Sequence, residues 1–183
     1  MGRHPPGKAE LDLGIKNRTA LLTASSRGLG KACALALAGE GAHVVINGLS
    51  EDNLARAAAE IQAQTDVDVV TVVADINTVE GRHRLLEACP DPDILVNNNW
   101  GPPPGRWEDF EYEDWLQAVE SNMLAPLMMI RAVVGGMKQR RFGRIVNITS
   151  QMVKSPFAVM GLSAGARTGL TAAAKALSRE VAE

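Results

Sequence analysis

Thr19-Ala20-Leu21-Leu22-Thr23-Ala24-Ser25-Ser26-Arg27-Gly28-Leu29-Gly30 is the stretch on which the reading of this chain turns. It opens on a short apolar run, passes through small polar residues, and ends on Arg27 and two glycines. Lys31 to Ala38 follow, rich in Ala and Leu and helical in character. Strand, tight turn and helix in that order form the setting of a nucleotide-phosphate site. Glycine lets backbone approach a pyrophosphate closely, and the open N–H groups and dipole at a helix start favour anions.

Working outward, the same alternation recurs. Strands are expected at about 18–23, 43–47, 69–73, 93–97 and 144–148. Helices are expected at about 28–39, from a Ser50 cap through Ile61, at 79–88, at 113–139 with Pro126 kinking or dividing it, and at 162–182. The third strand, Val69-Val70-Thr71-Val72-Val73, is nearly all β-branched and suits burial on both faces. Strands alternating with helices imply right-handed crossovers and a doubly wound parallel sheet, an α/β Rossmann-like fold. Ligands of such sheets lie at the carboxyl ends of the strands. The polar residues gather there: Thr23–Arg27, Asn47–Ser50, Asp75, Asn97–Asn99 and Ser150. That shared edge argues for a dinucleotide site.

Bulk properties narrow the class. The 183 residues make one domain, with 46% hydrophobic residues and a formal net charge of −2. No basic field argues for nucleic acid. No apolar run approaches the length that spans a bilayer. Residues 1–17, with Pro5-Pro6-Gly7 and mixed charge, read as a flexible leader without a signal-peptide core, so a cytoplasmic location is expected; residues 18–183 form the domain. Cys33 and Cys89 read as reduced packing thiols. They and the scattered His4, His43 and His83 form no metal-ligand set, so no metal is expected.

With these motifs in place the chain resembles the short-chain dehydrogenase/reductase family. The family's TGxxxGxG turn matches Thr23-Ala24-Ser25-Ser26-Arg27-Gly28-Leu29-Gly30, with Ala24 replacing the first glycine. Asp75 in Ala74-Asp75-Ile76 matches the acid that contacts adenine, with Ile76 beside it. Asn97-Asn98-Asn99-Trp100-Gly101 stands where the family has NNAG, which places Asn97, Asn98 and Gly101 at the cofactor. Asn122 matches the family's helix asparagine and Ser150 its catalytic serine. The resemblance implies an NAD(P)-dependent oxidoreductase acting on a small carbonyl or alcohol.

The departures fall at the proton-handling end. The family's YxxxK reads here as Ser163-Ala164-Gly165-Ala166-Arg167. An aliphatic hydroxyl is far too weak an acid to replace a tuned tyrosine, and arginine holds its charge without cycling a proton. Asn122, Ser150, Ser163 and Arg167 are therefore the candidate catalytic set. Arg167 either grips a carboxylate or phosphate of the substrate, or the nicotinamide ribose, with water supplying the proton; or hydride chemistry is lost and a nucleotide-binding shell remains. Ser163 also has a plain reading as a helix N-cap, and Arg167 as a solvated helix face. Trp100 must turn toward solvent to leave the cofactor room. Asn47-Gly48-Leu49, where cofactor choice is normally read, offers neither acid nor arginine, whereas Arg27 can meet a 2′-phosphate; the balance leans to NADP over NAD.

Family members continue with two further strands and a substrate-covering helix. Ending at Glu183, the sequence reads either as a fragment or as a chain whose open fifth strand is covered by a partner. Two apolar stripes suggest a homodimer or homotetramer: Leu116, Val119, Met123, Leu127, Ile130 and Val134 on the long helix, then Leu162, Ala166, Leu170, Ala174 and Leu177 on the last.

Overall fold

The computed structural model describes residues 12–182. Five short strands form one parallel sheet. In chain order they are β1 (Thr19–Leu22), β2 (His43–Gly48), β3 (Val69–Val73), β4 (Ile94–Asn97) and β5 (Arg144–Asn147). The spatial order is β3-β2-β1-β4-β5, so the direction of winding reverses beside β1. Every pairing is parallel.

The central strands are apolar on both sides because helices cover both faces. Ala20, Leu22, Val44, Ile46, Ile94 and Val96 pack on one face with α1 (Gly28–Gly39) and α2 (Glu51–Gln62). Leu21, Val45 and Leu95 pack on the other with α3 (Val79–Ala88) and the long helix. Leu21, Leu22, Ile46 and Leu95 are wholly buried, each worth about 1.5–3 kcal/mol relative to exposure.

The chain between Tyr112 and Arg140 is one long helical run in three parts. α4 (Tyr112–Val119) passes into a π-helical segment, Glu120–Leu124, and then into α5 (Ala125–Arg140). Pro126 explains the widened turn: it has no N–H for the carbonyl of Asn122, and the ring crowds that carbonyl. The Ala125 N–H bonds instead to Glu120 O. The run ends at Arg141, which takes the left-handed conformation at φ 53°. α6 (Gly161–Glu180) lies against this run.

Three expectations need correction. β3 is an edge strand, with Val70 and Val73 left 45% and 39% exposed. A β-branched run reports a good strand former, but not whether anything covers it. Residues 1–11 of the expected leader lie outside the described residues, yet 12–17 are not leader-like. Ile15 is buried in the α1-side core, and the Asn17 N–H donates to Gly41 O at 2.8 Å. Most residues of the two proposed interface stripes face inward. Ile130, Leu162, Ala166 and Leu170 are buried, while Met123, Leu127 and Leu177 pack against buried clusters. The exposed apolar face of the long helical run is Leu116, Leu124 and Met128.

β5 forms the other sheet edge, and Val146 is 48% exposed. Beside it lies a groove of about 870 Å³ between α5 and α6, lined by Ile130, Met137, Phe142, Ile145, Ala174 and Leu177 among others. Among the described residues no helix is long and apolar enough to cross a membrane.

Candidate functional site

The turn after β1 is held by its neighbours rather than by itself. Asn47, 1% exposed, is its main staple. Its Oδ1 accepts the Ala24 N–H at 3.1 Å, and its carbonyl accepts the Ser25 N–H at 2.7 Å. Its Nδ2 donates to Val72 O at 3.1 Å and Ala74 O at 2.9 Å, tying the turn to β3. Its own N–H donates to Ser25 Oγ at 2.9 Å, and that hydroxyl donates to Leu22 O at 2.8 Å. From the other side, Thr23 Oγ1 donates to Asn98 O at 2.7 Å and accepts the Asn98 N–H at 2.8 Å. Asn98 Nδ2 completes the clamp on Ala24 O at 2.9 Å. A polar network this fully satisfied is rigid.

The turn carries one strained residue. Ala24 sits at φ 44°, where glycine is the unstrained residue. Gly30 packs against the turn so closely that a Cβ would lie 2.5 Å from Ala24 O and 2.8 Å from Ser25 Cα. Gly28, at φ 56°, would place its Cβ in open space. Arg27 occupies the N-cap of α1 without a side-chain cap bond, leaving the first N–H groups of the helix open. Arg27, Gly28 and Leu29 are exposed, and Ala24 and Ser26 are half-buried at the rim. This is a cradle with backbone donors, room above it and a cation beside it, and it fits a dinucleotide's diphosphate.

The remaining strand ends define the rest of the cleft. Leu49, after β2, is exposed. Asp75, after β3, accepts the Asn77 N–H on Oδ1 at 2.9 Å, while Ile76 is buried beneath it. Asn97 lies under the site: its Nδ2 reaches Asn147 Oδ1 at 2.9 Å and Pro126 O at 3.3 Å, as a tether between β4, β5 and α5. Asn99 turns inward and donates to Asn77 Oδ1 at 2.9 Å and Ser121 O at 2.8 Å. Its bulk therefore does not occupy the cleft. Trp100 is 43% exposed, and Gly101 is exposed next to it.

The candidate catalytic residues come from three elements that pack together. Asn122 lies in the π segment, 2% exposed; its Nδ2 donates to Ser121 Oγ at 2.8 Å, and its Oδ1 is buried without a partner. Ser150 caps the short 3-10 turn Gln151–Val153 after β5, accepting the Met152 N–H at 3.3 Å. Ser163 is inside the first turn of α6 and 3% exposed; the N-cap is Met160, so the capping reading of Ser163 does not hold. Arg167 is 8% exposed, not on a solvated face, and its Nη1 donates to Ile148 O at 2.8 Å. α6 packs on both the π segment that carries Asn122 and the turn that follows Ser150.

Sequence reasoning missed the roles of Asn47, Asn77 and Asn99. Each is an asparagine at a strand end, and an asparagine there can equally face solvent, ligand or backbone.

A parallel sheet whose winding reverses at a glycine turn defines a Rossmann-type fold. Residues 18–183 match the family model described as short chain dehydrogenase, and the chain belongs to that family. Among curated relatives, it is 34% identical over 147 residues to the uncharacterized oxidoreductase YvaG of Bacillus subtilis, covering 80% of this chain and 56% of that protein. It is 34% identical to rabbit dehydrogenase/reductase SDR family member 4, covering 92% of this chain and 66% of the relative. The chain thus spans 56–66% of the length of these relatives. The L-sorbose reductase of Gluconobacter frateurii, solved with NADPH and L-sorbose, superposes with a TM-score of 0.89 at 30% identity, over 93% of this chain and 66% of that one. YwfH, an NADPH-dependent reductase involved in bacilysin biosynthesis, superposes at 0.85 and 30% identity, over 91% of this chain and 68% of that one.

Proposed function

We propose that this chain is an NAD(P)-dependent oxidoreductase with a non-standard proton-handling site, acting on a small carbonyl or alcohol. The observation that carries this reading is the turn from Thr23 to Gly30, stapled by Asn47 and Asn98 beside the open N–H groups of α1. The turn and the α1 N–H groups would hold the diphosphate; Asp75 would meet the adenine, and Asn98 and Gly101 would flank the ribose. The cofactor, when bound, supplies or accepts hydride. NADP is favoured over NAD because Arg27 is an exposed cation at the rim while Leu49 offers no carboxylate to a free ribose. Two of the similar solved structures are described as NADPH-bound or NADPH-dependent, in keeping with that choice.

The chain's own residues leave the proton to water. Ser163 cannot be tuned into the working pH range as a tyrosine can. Asn122 Oδ1 is an acceptor without a protein donor, and the Ser150 hydroxyl stands at the same end. These groups can orient a water and a substrate oxygen, with Arg167 as fixed positive charge. The assay is a titration of NADPH and NADH against tryptophan fluorescence, followed by turnover on a carbonyl panel. Saturable binding with slow turnover supports the reading; absence of binding to either cofactor refutes it. Binding without turnover on any carbonyl would favour a second reading, a nucleotide-binding or regulatory member, which the loss of the tyrosine motivates.

The protein is proposed to act in the cytoplasm, consistent with its free Cys33 and Cys89 thiols. It is also proposed to self-associate as a homodimer or homotetramer through the long helical run. The exposed Leu116, Leu124 and Met128 support this. Light scattering on the purified protein tests it, and a monomer at high concentration would refute it.

A further inference from the structure

Arg167 is a buried cation without a carboxylate. It is 8% exposed, and among the described residues no acid lies within ion-pair range of it. Burial alone pulls its pKa below the usual guanidinium range, but an arginine in a protein keeps its proton. Interiors rarely hold an unpaired charge, because desolvation must be offset by a partner.

The guanidinium is half used, and the unused half is one particular edge. Nη1 is committed to Ile148 O at 2.8 Å. Nε is buried and has no partner. Nη2 makes no bond among the described residues and lies 3.6 Å from where a Cβ on Gly101 would be, at the exposed loop after β4. Nε and Nη2 present two parallel N–H groups, the fork that matches the two oxygens of a carboxylate. Ser163 stands one turn earlier on the same helix face. A fork for a carboxylate one helical turn from a serine hydroxyl is a set suited to a small oxo or hydroxy acid.

We propose that the Nε–Nη2 edge of Arg167 is the anchor for a substrate carboxylate, which makes the substrate class small oxo and hydroxy acids. The proposal rests on the oxidoreductase reading above and narrows its substrate. A lysine at this position would present a point charge; the arginine presents a plane with a fixed fork, and here that fork faces away from its one backbone tether.

The test is calorimetric, on the full chain with and without NADPH. The probes are 2-oxobutyrate and its neutral counterpart 2-butanone. The wild-type protein should bind the acid at least about tenfold more tightly than the ketone, as expected for one charge-assisted fork. Arg167→Gln should erase that preference while NADPH affinity stays within about threefold. Arg167→Lys should retain only part of the preference, because it keeps charge but loses the fork. Equal binding of acid and ketone by the wild type overturns the proposal without any variant. So does an Arg167→Gln protein that still prefers the acid, or one that loses NADPH instead, which would assign the guanidinium to the cofactor. Failure of NADPH to bind the wild type would sink the oxidoreductase reading separately, since the acid preference is also measured without cofactor.

Discussion

The two ends of the cleft differ in what they preserve. At the β1–α1 end, the turn keeps the family's spacing, and its one altered residue, Ala24, still adopts the conformation a glycine would. Asn47 and Asn98 hold it from both sides. At the β5–α6 end, on the function proposed above, the backbone frame persists while the chemistry differs. Ser163 and Arg167 occupy the expected helix positions and are buried there, yet neither can cycle a proton at neutral pH. Binding a nucleotide needs backbone shape, which tolerates side-chain change. Proton transfer needs one particular acid, which does not.

Breaking the first end should have the largest effect. In Gly30→Ala the new Cβ meets backbone atoms of Ala24 and Ser25, which cannot step aside. We expect NADPH binding to be lost and stability to fall by about 3 kcal/mol, measured by calorimetry and urea unfolding. Restoring the second end is the converse. Ser163→Tyr with Arg167→Lys should raise carbonyl turnover by about 10²-fold or more, the usual worth of a positioned general acid. No gain, in a variant that still binds NADPH, would show that the pocket beyond these residues is altered too.

Smaller changes sharpen the contrast. Asn47→Ala removes the staple and leaves three partner groups unsatisfied: the Ala24 N–H and the Val72 and Ala74 carbonyls. It should cost about 2–3 kcal/mol by urea unfolding and weaken NADPH binding. Ala24→Gly should do the opposite. Relief of the left-handed alanine should add about 0.5–1 kcal/mol and leave NADPH affinity unchanged or slightly improved. A destabilised Ala24→Gly protein would mean that the φ of 44° carries no strain.

Much of this was legible in the sequence. All five strands fall where period and β-branching place them, and the strand-end cluster of polar residues is real. What was hidden depends on neighbours rather than on local pattern. Val69–Val73 reads as a buried strand, but burial is decided by what lies beyond the sheet edge. Pro126 announced an interruption without saying that it would widen the preceding turn around Asn122. Ser163 and Arg167 were found by spacing. Their burial was not, since serine and arginine are usually exposed and only the packing of α6 on the long helical run encloses them. The asparagines at the strand ends show the same ambiguity: Asn98 clamps the turn, Asn97 ties three elements together, and Asn47 does both jobs.

On the function proposed above, cofactor binding survives whatever stands at the proton-handling positions. Calorimetric titration of NADPH into the wild type and into the Ser163→Tyr/Arg167→Lys variant tests it most directly. Saturable one-site binding is expected in both, with affinities within about threefold, well below the tenfold that 1.4 kcal/mol would give. Binding that appears only in the variant, or in neither protein, would contradict it.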